Sequence, residues 1–386
     1  MKIVIPTPTY FPDVNGASYF AQRLAYYLTK RGHEVLVIAP GPSMRTTYYK
    51  HNGATVFGLA SFPLKGIRIS IPFFLGRKIK KAVLKFKPDI VHLQTHFAPG
   101  RKTFVAAKKL GIPVMGTNHF MPENLTHYLH LPQVLENLLN KLSWDYFLYT
   151  YNRLPLVTAP SQTAGNLLNN VGVKKDIRVV SNGIDMAIFN PAHQEGDFKK
   201  NWGLPEKPIL LYVGRLDKEK HVEWILQALK KFVGKLDIHL VVAGKGLEQN
   251  YLKSLTKKLN LGTQVTFLGF VPDQDLPALY ANSDCYIIPG VAELQSISTM
   301  EAMASGLPVI AVRAMALPEL VKDGENGLLF ESENIEALSN CIYRIFSNQE
   351  LRKKMGATSL NYIRPHNIEN IIYEFEVMYE KALQTL

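Results

Sequence analysis

Cysteine is nearly absent, with Cys285 and Cys341 the only two in 386 residues. Two thiols cannot frame a disulfide-stapled fold, and their scarcity points to a reducing, cytosolic setting. Long apolar runs are missing too; none approaches the ~18–20 residues that span a bilayer, so no transmembrane helix is expected. The opening MKIVIPTPTYFP breaks its apolar stretch at Pro6 and lacks the layout of a secretory signal. No G-x-G-x-x-G follows the first strand pattern, where Pro6-Thr7-Pro8-Thr9 stands instead, and this excludes a Rossmann dinucleotide oxidoreductase. Glycine and proline are too few for fibrous or low-complexity classes, while 47% apolar residues exclude disorder. What remains is a globular chain long enough for two or three domains.

Acid is scarce in one half only. Residues 1–190 carry 23 Lys+Arg against 8 Asp+Glu, a balance of +15, and residues 191–386 carry 21 against 24, or −3. Such asymmetry suggests that the first half faces a polyanion, either nucleic acid or an anionic membrane. The excess is densest in residues 65–88, where Lys65, Arg68, Arg77, Lys78, Lys80, Lys81, Lys85 and Lys87 stand without an acid. There Ile79, Ala82, Val83 and Phe86 fall at i, i+3, i+4 and i+7, with Phe73, Phe74 and Leu75 ahead of them. Two readings fit this segment. It is either a basic amphipathic helix that lies on a membrane, or a surface helix whose stripe packs on a sheet.

Short β-branched runs alternate with helical patterns along the whole chain. Strand patterns cover 2–5, 34–39, 55–59, 90–93, 114–117, 156–159 and 178–180, with helical patterns near 17–31, 76–87, 99–110, 133–152 and 161–170. The second half repeats the alternation with strands at 209–213, 239–243, 266–268, 285–288, 309–312 and 328–330. Two doubly wound α/β domains are therefore expected, 1–185 and 186–365, joined through a polar stretch near 183–208. The last segment, 366–386, reads as a helix with Ile368, Ile371, Ile372, Phe375 and Met378 on one side, which needs a surface to cover. Ligands of such sheets bind at the carboxyl ends of the strands, in a cleft between the domains.

The chemistry-bearing residues cluster in the second half. Glu293 and Glu301 bracket the block E-L-Q-S-I-S-T-M-E, and a helix is expected from about Ser296 to Ser305. Ser296 and Ser298 suit capping, and the free amides around Gln295, Ile297 and Ser298 can hold a pyrophosphate. Ionised carboxylates accept hydrogen bonds only, so Glu293 suits sugar hydroxyls and Glu301 a nucleotide ribose. Gly214-Arg215 follows the strand 209–213, with Lys220 shortly after; two cations there would neutralise a departing diphosphate. Gly244-Lys245-Gly246 closes the next strand and permits close backbone approach.

Taken in order, these residues resemble the retaining glycosyltransferases of family 4. The likeness extends through Asp13-Val14-Asn15-Gly16, Pro160-Ser161, Val180-Ser181-Asn182-Gly183-Ile184-Asp185, Phe189-Asn190-Pro191, Phe267-Leu268-Gly269-Phe270-Val271 and Glu301-Ala302-Met303-Ala304-Ser305-Gly306-Leu307-Pro308-Val309. It implies the GT-B fold, two Rossmann-like domains facing across a cleft, with the terminal helix crossing back to the first. It implies a UDP- or GDP-linked sugar held by the second domain and an acceptor docked on the first. Val271 would then meet the base through its backbone, Gly16 would let backbone amides reach the diphosphate, and His119 would sit beside the reacting sugar. His127, with His130 nearby, is a candidate acceptor contact. Two positions depart from the family's pattern. Leu294-Gln295-Ser296 replaces a Gly-Phe-Gly run, a form similar to the lipid-glycosylating branch that includes diacylglycerol glucosyltransferases and phosphatidylinositol mannosyltransferases. His221 replaces a glycine after the lysine.

The expected activity is thus retaining hexosyl transfer to a membrane lipid such as diacylglycerol, by an enzyme peripheral to the cytoplasmic face. A soluble sugar or metabolite acceptor, or a sugar-nucleotide epimerase of the same fold, would share the donor motifs. A nucleic-acid binder would explain the charge but not the ordered motifs. Asp273-Gln274-Asp275 resembles a D-x-D metal motif, but its place before the helical pattern 276–281 suits helix capping. His92/His96 and His127/His130 have loosely metal-like spacing without a Cys nearby, and no metal site is expected. No resident cofactor is expected, and Mg²⁺ is not required by this reading.

Overall fold

The computed structural model describes residues 1–13, 15–64, 69–73, 75–122, 132–232 and 234–384. It divides into two units, Met1–Gly183 with Glu369–Leu386, and Ile184–Ile368. Among the described residues no helix is long and apolar enough to cross a membrane.

In the first unit the strands are β1 (Lys2–Pro6), β2 (Glu34–Pro40), β3 (Thr47–His51), β4 (Ala54–Leu59), β5 (Ser61–Leu64), β6 (Ile69–Pro72), β7 (Ile90–Leu93), β8 (Val114–Thr117), β9 (Leu156–Ala159) and β10 (Ile177–Val179). Eight of them form one sheet in the order β10-β9-β8-β7-β1-β2-β4-β3, while β5 and β6 pair with each other. Apart from the antiparallel β3 the large sheet is parallel. Its central strands are apolar on both faces because helices cover both, and Ile3, Val4, Ile5, Ile90 and Val91 are fully buried. The helices are α1 (Gly16–Lys30), α2 (Leu75–Phe86), α3 (Ala98–Lys109), α4 (Gln133–Tyr151) and α5 (Gln162–Val171).

Two features of this unit were not anticipated, and a third decides between the two readings of α2. Strand β3 and its turn follow from Asn52-Gly53, whose φ values of 49° and 86° make the left-handed pair that closes a two-residue hairpin. The β5–β6 hairpin occupies residues ahead of α2 that carry no alternating pattern. Third, α2 turns its apolar stripe inward. Ile79 and Val83 are fully buried, Ala82 is 5% exposed, and Phe86 is half-buried beneath the Lys2 ammonium. The stripe is therefore buried within the unit and is not available to a bilayer, while Arg77, Lys78, Lys80 and Lys81 on the opposite face are exposed.

In the second unit β11 (Ile209–Val213), β12 (His239–Ala243), β13 (Val265–Gly269), β14 (Cys285–Ile288), β15 (Val309–Val312) and β16 (Gly327–Phe330) form a parallel sheet in the order β13-β12-β11-β14-β15-β16. Its helices are α6 (Phe198–Asn201), α7 (Val222–Leu229), α8 (Gln249–Lys258), α9 (Leu276–Ala281), α10 (Ile297–Ala304), α11 (Leu317–Leu320), α12 (Ile335–Phe346) and α13 (Gln349–Ile363). The chain steps outward from β11 in one direction to β12 and in the other to β14, so the strand ends of β11 and β14 form a topological switch point.

The terminal helix α14 (Ile368–Gln384) buries Ile371, Ile372 and Phe375, as its periodicity predicts. It is tied into the first unit by the Glu376 carboxylate, 2.8 Å from both Arg31 Nη2 and His33 Nε2. Tyr379 Oη lies 2.8 Å from His92 Nδ1, and His92 Nε2 lies 2.6 Å from Thr117 Oγ1, which joins Thr158. This buried polar chain runs from α14 through β7 and β8 to β9.

Candidate functional site

The switch point of the second unit assembles most of the candidate residues. The loop after β11 carries Gly214, Arg215 and Lys220, and the loop after β14 carries Glu293. Lys220 Nζ and Glu293 Oε1 are 2.7 Å apart, with side chains only 17% and 16% exposed. Gly290 lies against both: a Cβ there would come within 3.3 Å of Lys220 Cδ and 3.4 Å of Glu293 Oε1. Removing one member of such a half-desolvated pair would leave the other charge without its match, the costly case for buried ions.

Immediately after Glu293 the chain enters α10. Ser296 is its N-cap, and its Oγ accepts from the Thr299 amide at 3.2 Å and from Thr299 Oγ1 at 2.9 Å. The amides of Ile297 and Ser298 begin the helix, where no carbonyl precedes them to serve as an intrahelical partner. Ser298 Oγ accepts from Tyr286 Oη at 2.7 Å. Burial pushes the Tyr286 phenol up, so it remains a donor and holds Ser298 in place. Gln295 is half-buried between Leu294 and Ser296. Glu301, one turn into α10, is 7% exposed, and its Oε2 accepts from Tyr280 Oη at 3.1 Å.

Arg215 is engaged more fully than its sequence position suggests. Its guanidinium pairs with Asp217 and, at 2.7 Å, with Glu219 Oε1, while its carbonyl accepts from Tyr212 Oη at 2.7 Å. A diphosphate would compete with these carboxylates for the same cation. Asp217 was passed over in the sequence, yet its Oδ1 also accepts from the Leu247 amide at 3.0 Å and so links the loops after β11 and β12. The two glycines of these loops meet backbone to backbone. Gly244 has φ +146°, and a Cβ there would fall 1.8 Å from the Gly214 carbonyl oxygen.

Outside this centre the placements are mixed. Val271 is 6% exposed beside the end of β13. Asp275 occupies the N-cap position of α9, but its side chain makes no capping hydrogen bond, so the capping expected of this segment does not come from Asp275. His221 takes the left-handed conformation at φ 48°, ψ 39°, and stacks on Trp224 at 4.0 Å. The turn after Lys220 thus keeps a glycine-like geometry although glycine is missing.

In the first unit the switch point lies between β1 and β7. Gly16 opens α1, and Asn15 caps that helix by accepting from the Ser18 amide at 2.9 Å. His119 follows β8, with its ring 4.5 Å from Phe20 and Nε2 2.8 Å from Gln94 Oε1. This contact fixes the orientation of the ring against the Gln94 side chain. Desolvation pushes the His119 pKa down to about 3, which keeps the ring neutral. Gln94 thereby joins the candidate set; its position just past a strand end is the signal that would have found it. Among the described residues no group of three His, Cys, Asp or Glu side chains could hold a metal ion. Phe73 is half-buried, and its amide bonds to the Ala60 carbonyl. Phe74, His127, His130, Lys65 and Arg68 lie outside the described residues.

Two family descriptions match the chain in tandem. Glycosyltransferase Family 4 covers residues 14–188, and Glycosyl transferases group 1 covers 194–361. A GDP-mannose-dependent alpha-mannosyltransferase of Mycolicibacterium smegmatis is 30% identical over 345 residues, covering 87% of this chain and 86% of its own. An alpha-monoglucosyldiacylglycerol synthase of Streptococcus pneumoniae is 27% identical over 381 residues, covering 97% and 85%. Among solved structures, Anabaena HepE in complex with UDP-glucose superposes with a TM-score of 0.77 at 19% identity over the full length of both chains. With two parallel-sheet Rossmann-like units of the GT-B architecture and both family matches in register, the chain belongs to the family 4 glycosyltransferases.

Proposed function

We propose that this glycosyltransferase moves a hexose from a nucleotide-diphospho-sugar to a membrane lipid of the diacylglycerol type, with retention of anomeric configuration. The Lys220–Glu293 pair beside the start of α10 carries the donor half of this reading. Lys220, Arg215 and the Ile297 and Ser298 amides would receive the diphosphate as its bond to the sugar breaks. Glu293 would orient sugar hydroxyls, Glu301 would accept from the ribose, and the neutral His119 would hydrogen-bond a sugar hydroxyl. Val271 would contribute backbone contacts to the base, and Gly16 the close approach of first-turn amides.

The lipid half rests on two supports. The Glu293-Leu294-Gln295 form resembles the lipid-glycosylating branch, and the diacylglycerol-glucosylating relative spans nearly the whole chain. The exposed cations of α2 would attract an anionic leaflet, each contributing about 1 kcal/mol near the surface. Because the α2 stripe is buried, that attraction is electrostatic and salt-sensitive. The testing experiment is a transfer screen with UDP-glucose, UDP-galactose and GDP-mannose, each with and without diacylglycerol in anionic vesicles. A lipid-linked product whose anomeric signal matches the donor supports the reading; transfer to soluble acceptors alone would overturn the lipid half, and donor conversion without an acceptor would point to an epimerase.

A further inference from the structure

Helix α4 presents an apolar ridge to solvent. Leu135, Leu138, Leu142 and Tyr149 are 48%, 50%, 53% and 49% exposed, and Val134 beside them is 79% exposed. At 100° per residue the first four fall within about 60° of the helix circumference and span about 21 Å of its length. Isolated exposed leucines are ordinary; a ridge of this length on one helix is not.

The surroundings of the ridge indicate what covers it. The chain steps in one direction from β7 to β8 to β9, so right-handed crossovers set α3 and α4 on the same face of the sheet. Helix α2 packs on α3. From α3, Arg101 reaches across to α4, its guanidinium 4.5 Å from the Tyr146 ring and 4.6 Å from that of Tyr149. The Arg153 guanidinium also lies over the Tyr149 ring, at 3.9 Å. The ridge therefore continues into a basic surface. Residues 75–110 hold ten Lys+Arg against a single acid, Asp89. A second copy docked symmetrically on the ridge would bring these like-charged surfaces together, whereas an anionic bilayer meets both the charge and the apolar face.

We infer that α4 is the element that enters the bilayer: its leucine ridge seats among the acyl chains while the cations of α2 and α3, with Arg101 and Arg153, lie at the phosphates. The inference rests on the lipid-acceptor reading and assigns insertion to α4, where the sequence had suggested α2. It divides the task between elements, since α2 offers charge without an available apolar face and α4 offers the apolar face.

The test uses the full chain with phosphatidylcholine vesicles, with and without phosphatidylglycerol, at low and high salt. Wild type should bind the anionic vesicles and keep a salt-resistant fraction. The double substitution L138S/L142S should weaken binding about tenfold and remove that fraction, with the helical circular dichroism retained and the thermal midpoint lowered by only a few degrees, because each side chain is already about half exposed. A separate L138W variant should show a blue-shifted indole emission that brominated acyl chains quench. Wild-type affinity in L138S/L142S, or an L138W indole that the brominated lipid leaves unquenched, would overturn the insertion while leaving the lipid reading intact. If wild type itself bound no vesicles, the lipid reading would fall and take this inference with it. If L138S/L142S dissociated a wild-type dimer yet bound vesicles normally, the ridge would be an interface between copies.

Discussion

Lys220 and Glu293 are far apart in sequence, yet their heads meet at 2.7 Å with most of both side chains withdrawn from water. Changing either alone leaves an unmatched charge beside the start of α10, so K220A and E293A should each lower turnover at least about 100-fold while the fold persists. Steady-state kinetics with circular dichroism checks this. Near-normal turnover in a folded R215A/K220A variant would remove the leaving-group role from both. His221 poses a different problem, because a branched ring occupies backbone space that suits glycine. H221G relieves that conformation, whereas H221A keeps it and also loses the Trp224 stack, so H221A should be less stable than H221G by about 1 kcal/mol in urea unfolding. Lys220, Arg215, Glu293 and Glu301 were legible because each sits at a strand end or helix start, where the pattern itself announces the position. Asp217 and Gly290 were not, because what distinguishes them is a contact across loops, whereas Gln94 carried the strand-end signal and was overlooked.

Among the elements, the structure chooses between the two readings of α2. Its strong amphipathic pattern is satisfied inside the unit, where the apolar side is buried. With only its cations left outside, the triple substitution K78Q/K80Q/K81Q should weaken binding to anionic vesicles about 100-fold at low salt, at about 1 kcal/mol per lysine. Co-sedimentation reads this directly, and unchanged binding would remove α2 from the membrane face. The β3–β4 hairpin depends on Gly53, where φ is +86° and a Cβ would meet Thr29 Cγ2 at 2.6 Å. G53A should therefore cost about 1–2 kcal/mol in chemical denaturation and leave donor binding unaltered. The central strands were readable as β-branched runs because both their faces are buried. Strand β3 was hidden because an edge strand such as Thr47–His51 is polar and half-exposed, leaving Asn52-Gly53 as its only local sign.

For the whole molecule, two fully buried histidines contribute to the response to acid together with His119. His92 is enclosed by Tyr379 and Thr117, and His96 lies among the rings of Phe97, Phe120 and Phe147. Burial pushes both pKa values down to about 3 from an ordinary 6.5. The unfolded chain then binds protons that the folded chain refuses. The stability these neutral rings contribute is complete above pH 6.5 and is lost as pH falls towards 3, at about 2.7 kcal/mol per pH unit for the two together in the middle of that window. Thermal unfolding from pH 7 to pH 4.5 should show a falling midpoint with an uptake of close to three protons, one each for His92, His96 and His119. A flat profile would mean that water or charge reaches these rings. Since His92 also anchors α14 through Tyr379, acid should loosen the terminal helix together with the first sheet.

The alternation of the parallel strands with helices, the presence of two Rossmann-like units and the candidate donor residues at strand ends were legible in the sequence alone, while β3 and the β5–β6 hairpin were not. Each of the former depends on local periodicity or on the residue that follows a strand, and both are written in the order of the chain. Tertiary structure alone decided which face of α2 is free, which cations already have carboxylate partners and which strand closes the edge of the first sheet. Those outcomes depend on what packs opposite a residue, and a pattern within one helix cannot say whether its apolar side meets a sheet or a membrane.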